Sequence, residues 1–153
     1  FSGTDGRTTI FDYWTVGSLY RGYVNRRKLT AEEKKIYAEY TAVLRIANGE
    51  KAVGEGEFFD LMYANGHLTD RQYAFLRKAG DELLLVVANF SDTPVEADLV
   101  IPRHAFEYLG IAEGCRESIE LLHGSKCMLA LYADKPVRVA VEAYGGSVYK
   151  VNF

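Results

Sequence analysis

The chain has 153 residues, of which 48% are hydrophobic, and a formal net charge of −3 at pH 7. Its length suits one full domain, or one domain with part of another, and this apolar fraction favours a packed core over intrinsic disorder. Because the charge is mildly negative and no basic run occurs, we expect neither nucleic acid nor a membrane as a partner. No apolar run approaches the ~18 residues of a membrane span.

Two helices are predicted first. Thr15 can serve as an N-cap, because its hydroxyl can accept a free N–H of the first turn. The apolar stripe behind it comprises Val16, Leu19, Tyr20, Tyr23 and Val24. The second helix is predicted to begin at a capping box formed by Thr30 and Glu33, and to end at Asn48-Gly49. Its apolar stripe comprises Ile36, Tyr37, Tyr40, Val43, Leu44 and Ala47.

From Glu50 onward the apolar period changes to two, which is typical of strands. Residues 82–92, ELLLVVANFSD, are apolar on both faces and predict a middle strand that is covered on both sides. The predicted strands are residues 58–63, 72–77, 82–92, 95–101, 118–122, 127–133, 137–141 and 148–153. Residues 102–111 are predicted as a loop with one helical turn. The fold class is therefore mainly β, an antiparallel β-sandwich of about eight strands preceded by two α-helices.

The two cysteines, Cys115 and Cys127, allow two interpretations. Free cysteines are often small buried thiols, whereas two on neighbouring strands can form a disulfide. The three histidines are scattered singly and no CxxC pair occurs, so we predict no metal site and no cofactor.

The segment that carries the predicted helices is rich in aromatic residues. These are Phe11, Tyr13, Trp14, Tyr20, Tyr23, Tyr37 and Tyr40. Either they cap one end of the sandwich, or they belong partly to a second core that this chain lacks. The second interpretation predicts self-association through residues 10–40 when the chain is alone.

Residues 5–14, DGRTTIFDYW, resemble the DGRTSIFDYW segment of certain glycoside hydrolases of the alpha-amylase family (family 13). Residues 56–61, 73–77 and 84–91 are also similar to that family. Gly17 departs from it, since relatives often have Pro there. The resemblance implies that residues 1–48 are the terminal helices of a catalytic (β/α)8 barrel and that residues 49–153 are a C-terminal all-β sandwich. The chain begins with Phe1 instead of Met, which suggests a cut inside a longer protein.

The resemblance also implies what this chain does. The family's catalytic carboxylates lie on earlier barrel strands, and none of their motifs occurs here, so the chain alone is predicted to be inactive. Its expected role is non-catalytic, with the sandwich bracing the upstream barrel of an enzyme that acts on α-glucans. Asp5 and Arg7 would border the barrel's mouth, either as contacts to substrate or as an ion pair that fixes the loop.

A carbohydrate-binding module is the alternative function. Sandwich domains often present exposed aromatic side chains to the C–H faces of sugar rings. Tyr63, Tyr108 and Tyr132 are the candidates for such stacking in this chain.

Overall fold

The computed structural model describes residues 19–20, 23–24, 29–68 and 70–153. The first elements are two short antiparallel strands, β1 (Leu19–Tyr20) and β2 (Tyr23–Val24). The predicted first helix is therefore wrong at these four residues. Aromatic and β-branched residues favour strands, and Gly22 disfavours a helix by about 1 kcal/mol. Val16 and the aromatic residues before it lie outside the described part of the chain.

Three α-helices and eight strands lie within residues 29–68 and 70–153. The helices are α1 (Ala31–Gly49), α2 (Lys51–Glu55) and α3 (Arg103–Leu109). The strands are β3 (Glu57–Asp60), β4 (Gln72–Ala79), β5 (Glu82–Asn89), β6 (Val95–Val100), β7 (Gly114–Glu120), β8 (Ser125–Leu131), β9 (Pro136–Val141) and β10 (Gly146–Asn152). All of these strands pair antiparallel, which confirms the mainly β fold class.

Two sheets enclose the main core. Six strands form one sheet in the order β3-β4-β5-β10-β7-β8, and β6 pairs with β9 in the other. Leu83, Leu85 and Val87 of β5 share this core with Leu99 of β6 and Val139 of β9. Each such buried side chain stabilises the fold by roughly 1.5–3 kcal/mol.

The central strand is covered on both faces, as predicted. The alternate residues Leu84 and Val86 of β5 lie in a second buried cluster on the other side of the six-stranded sheet. That cluster includes Ile46 of α1 and Ala52 and Val53 of α2. The end of α1 and all of α2 therefore lie over the outer face of the middle of the sheet.

Helix α1 begins at the predicted capping box. The Thr30 amide donates to Glu33 Oε2 at 2.7 Å, and the Glu33 amide donates to Thr30 Oγ1 at 3.2 Å. In this helix only Ile46 and Ala47 are buried. Ile36, Val43 and Leu44 of the predicted stripe are only partly buried, so most of the apolar face of α1 is outside both described clusters.

Several predicted boundaries were wrong: the strand expected over residues 118–122 is Gly114–Glu120, the helix Lys51–Glu55 was not predicted, and two further differences change the type of element. The strand expected over residues 58–63 ends at Asp60, whose Oδ1 accepts the Met62 amide at 2.8 Å and starts a 3-10 turn (Met62–Ala64). The loop expected over residues 102–111 is largely α3, which ends at Gly110 in the left-handed conformation (φ 62°). Pro102 can precede a helix, and glycine tolerates this conformation.

The disulfide interpretation of the cysteines is wrong, and the interpretation as free buried thiols is right about the free state but wrong about burial. Both thiols are free, with Cys115 exposed and Cys127 half-buried. Cys115 pairs across the sheet with Ala130, three residues from Cys127. Three residues span about 10 Å along a strand, whereas a disulfide needs Cα atoms within about 7 Å. Among the helices described, none is long and apolar enough to cross a membrane.

Candidate functional site

Six residues line a shallow concavity of about 640 Å³ at one edge of the sheet. They are Phe58, Phe59, Asp60, Tyr63, His104 and Tyr108, and we call them the aromatic surface. Strand β3 supplies the first three, the 3-10 turn supplies Tyr63, and α3 supplies the last two. His104 and Tyr108 are four residues apart, so they lie on the same face of α3.

Phe59 is at the centre of the aromatic surface. Its ring centroid is 6.3 Å from that of Tyr63, 6.1 Å from that of Tyr108 and 5.5 Å from that of His104. The ring planes are tilted by 44° to 55° against Phe59, within the usual range for favourable aromatic pairs. Tyr63 and Tyr108 are nevertheless 59% and 63% exposed, so both rings present a large area to solvent.

The two exposed tyrosines are held by their hydroxyl groups. Tyr108 donates to Glu57 Oε2 at 3.2 Å, and the Tyr63 hydroxyl is hydrogen-bonded to His104 Nε2. The hydrogen bond to Glu57 raises the pKa of Tyr108, and partial burial, with the charge of Asp60, raises the pKa of Tyr63. Because both pKa values lie above the ordinary value of 10.0, both phenols are neutral at physiological pH.

Asn65 connects the two elements that carry these tyrosines. Its fully buried side chain donates to Leu61 O at 2.7 Å and to Val100 O at 2.9 Å, and accepts the Val100 amide at 2.7 Å. The 3-10 turn is thereby fixed to the end of β6, and only two residues separate that end from the start of α3. Asn65 does not line the concavity itself.

Asn65→Ala is expected to lower the free energy of unfolding by about 2 kcal/mol, because it removes a partner from the buried Leu61 carbonyl and from the partly buried carbonyl and amide of Val100. Urea unfolding measures the loss. Asn152→Ala, at an exposed asparagine, is the matched control and should cost less than about 0.5 kcal/mol. Equal effects of the two substitutions would contradict the role of Asn65.

A second group of polar residues joins α2 to the sheet, and we call Glu50, Arg77, Glu82 and Lys150 the polar junction. Arg77 Nε donates to Ala52 O at 3.0 Å, and Nη2 donates to Val53 O at 2.7 Å. The Ala52 amide donates to Glu82 Oε1 at 2.8 Å. Short helices leave their terminal amides and carbonyls unpaired, so these strand side chains satisfy groups that α2 cannot satisfy itself.

Lys150 completes the polar junction. Its Nζ contacts Glu82 Oε2 at 3.0 Å and also Glu50 Oε2, and all three side chains are at most 22% exposed. Burial alone would raise the pKa of Glu82, but the Ala52 amide and the Lys150 ammonium together lower it. Burial alone would lower the pKa of Lys150, but the two carboxylates raise it. Glu82 and Lys150 are therefore both charged at neutral pH.

The structure brings two of the predicted site residues together. Tyr63 and Tyr108 both contact Phe59, whereas Tyr132 is not part of the aromatic surface. The ring of Tyr132 lies 5.2 Å from Lys135 Nζ, and its hydroxyl is 4.0 Å from Cys115 Sγ. Asp5 and Arg7 are outside the described residues, and their predicted role stays a prediction. Within the described ranges, no three His, Cys, Asp or Glu side chains group in a way that could hold a metal ion.

The fold is that of part of the alpha-amylase enzymes. The chain is similar to an Anoxybacillus alpha-amylase, with 14% identity and a TM-score of 0.57 over 86% of this chain and 25% of that one. It is also similar to the noncanonic maltogenic alpha-amylase AmyB from Thermotoga neapolitana, with 14% identity and a TM-score of 0.60 over 86% and 28% of the two chains. A third similar structure is AmyP in complex with maltose, with 10% identity and a TM-score of 0.61 over 84% of this chain and 23% of that one.

No protein-family model and no curated protein matches the sequence. The chain spans about a quarter of the length of these three solved structures. At such low identity the likeness establishes the fold, which agrees with the resemblance carried by residues 5–14.

Proposed function

We propose that this chain is the non-catalytic C-terminal region of an alpha-amylase-like glycoside hydrolase that acts on α-glucans. Residues 1–48 would be the terminal helices of its catalytic barrel, and residues 49–153 the sandwich that braces the barrel. The upstream barrel of the same protein is the partner. Support for a missing catalytic part comes from the share of the similar structures that the chain spans, about a quarter of each.

The polar junction is the observation that carries the bracing role. Glu50 ends α1 and begins α2, and its carboxylate contacts Lys150 of β10. Arg77 and Glu82 bond the backbone of α2 from two further strands. A flexible linker would need none of these bonds. Since hydrogen bonds and charge pairs are directional, they fix the angle at which α1 leaves the sheet.

The partly exposed apolar face of α1 suits the same role. Ile36, Val43 and Leu44 remain partly exposed on a helix whose direction the sheet controls. Apolar helix faces of this kind usually pack on another core, for which the catalytic barrel is the proposed source. In a chain without the barrel, the part of this face at Ile36 would contribute to the proposed self-association through residues 10–40.

The test uses the longer protein that carries the catalytic barrel. Combining Arg77→Met with Lys150→Met should lower the temperature at which hydrolysis of a maltooligosaccharide is lost by roughly 5 °C or more. It should leave kcat/KM at 25 °C within about twofold, because neither residue belongs to a catalytic site. Unchanged heat inactivation, or the absence of any catalytic domain ahead of Phe1 in the gene, would overturn the proposal.

A further inference from the structure

We infer that the aromatic surface binds consecutive glucosyl units of an α-linked glucan, apart from any catalytic site. The inference rests on the proposed function only for the choice of an α-glucan among sugars. Tyr63 and Tyr108 would each stack on the C–H face of one pyranose ring, with Phe59 between them.

Exposed large hydrophobic side chains are concentrated at this place. Seven are exposed among the described residues, and three of them, Phe58, Tyr63 and Tyr108, line the same concavity. Apolar side chains scattered singly on a surface need no explanation, whereas a cluster of them indicates a binding site.

The two tyrosine rings are held in place before any ligand arrives. The bond from Tyr108 to Glu57 and the bond between Tyr63 and His104 restrict both side chains, and Asn65 fixes the backbone between their elements. Ordering a side chain on binding costs about 0.5–1.5 kcal/mol, so a prearranged ring binds its ligand more tightly than a mobile one.

The polar groups around the rings select a neutral ligand with many hydroxyl groups. Asp60 lines the concavity, Glu57 borders it through Tyr108, and no Lys or Arg is among the described residues that line it. Carboxylates accept hydrogen bonds from sugar hydroxyls but repel phosphate and carboxylate ligands. A wholly apolar ligand would leave these groups without new partners, whereas a pyranose has both a C–H face and a rim of hydroxyls.

The test is an NMR titration of the 153-residue protein with maltotriose. Amide shifts should change at Phe59, Tyr63, His104 and Tyr108 in one saturable process. Tyr63→Ala and Tyr108→Ala should each raise the Kd about tenfold, as expected for the loss of one stacked ring. Both side chains are exposed, and an otherwise unchanged amide spectrum verifies that each variant is folded.

Tyr144→Ala is the matched control, because Tyr144 is 76% exposed and is not among the residues that line the aromatic surface. Its Kd should stay within twofold of the unsubstituted protein. No saturable shift at millimolar maltotriose, or a Kd that responds to Tyr144→Ala alone, overturns the site. Equal binding of cellotriose overturns the choice of an α-glucan. None of these outcomes would contradict the proposed bracing role, because that role is tested separately by heat inactivation.

Discussion

Lys150→Met is expected to lower the free energy of unfolding by about 3 kcal/mol at pH 7. The substitution leaves the carboxylates of Glu50 and Glu82 close to each other, largely buried, and without the cation that both contact. The methionine fills much the same volume as the lysine stem, so the loss measures mainly the charge. Chemical denaturation of both proteins gives the difference.

The loss of unfolding free energy in Lys150→Met should become smaller at both acidic and alkaline pH. The lowered pKa of Glu82 contributes stability above its unfolded value of 4.5, and this is lost as pH falls through the folded pKa. The raised pKa of Lys150 contributes stability below 10.5, and this is lost as pH rises through the folded pKa. The difference between the two proteins should therefore be largest between those values and shrink on either side.

Lys51→Met is the control for this prediction. Lys51 faces Glu55 at 3.9 Å on the surface of α2, and both side chains are more than 60% exposed. Exposed pairs contribute about 0–1 kcal/mol, so this substitution should change stability little and with no strong dependence on pH. A cost of Lys150→Met no greater than that of Lys51→Met would show that the polar junction does not hold α2.

The core of the fold could be predicted because its signal is continuous along the chain. In β5, the uninterrupted run from Leu83 to Val87 predicted cover on both faces, and each face has its own buried cluster. The capping box at Thr30 could also be predicted from the sequence, because both partners lie within one helical turn. By contrast, the short strands at residues 19–20 and 23–24 have the same spacing as a helical stripe, so periodicity alone could not separate the two.

The aromatic surface could be predicted only in part. Tyr63 and Tyr108 were candidates because of their residue type, but they are 45 positions apart and only the path of the chain brings both to Phe59. Tyr132 has the same chemistry and lies elsewhere. Asn65 carried no signal beyond its preference for turns, because its partner Val100 is 35 residues away. Long-range contacts of this kind leave no local pattern in the sequence.

Arg77→Met should lower the free energy of unfolding by about 3 kcal/mol. We expect the local destabilisation to be largest in α2, whose backbone carbonyls Arg77 contacts. Arg77 is 4% exposed, and it donates to the carbonyls of Ala52 and Val53. Removing these donors leaves buried acceptors without that partner, at about 1–3 kcal/mol each. The methionine keeps the apolar contacts of the stem and relieves the burial of the charge, which limits the total.

Hydrogen exchange distinguishes a loss at α2 from a general loss of stability. In Arg77→Met, amide protection should fall more in α1 and α2 than in β5 and β10, whose amides lose only the protection that follows from the lower free energy of global unfolding. Arg138→Met is the matched control: Arg138 pairs with Asp98 at 2.8 Å, but its side chain is 71% exposed, so the cost should stay below about 1 kcal/mol. Uniform loss of protection across the sheet in Arg77→Met would mean that α2 and the sandwich unfold as one unit, and that the junction stiffens the whole domain instead of fixing the direction of α1.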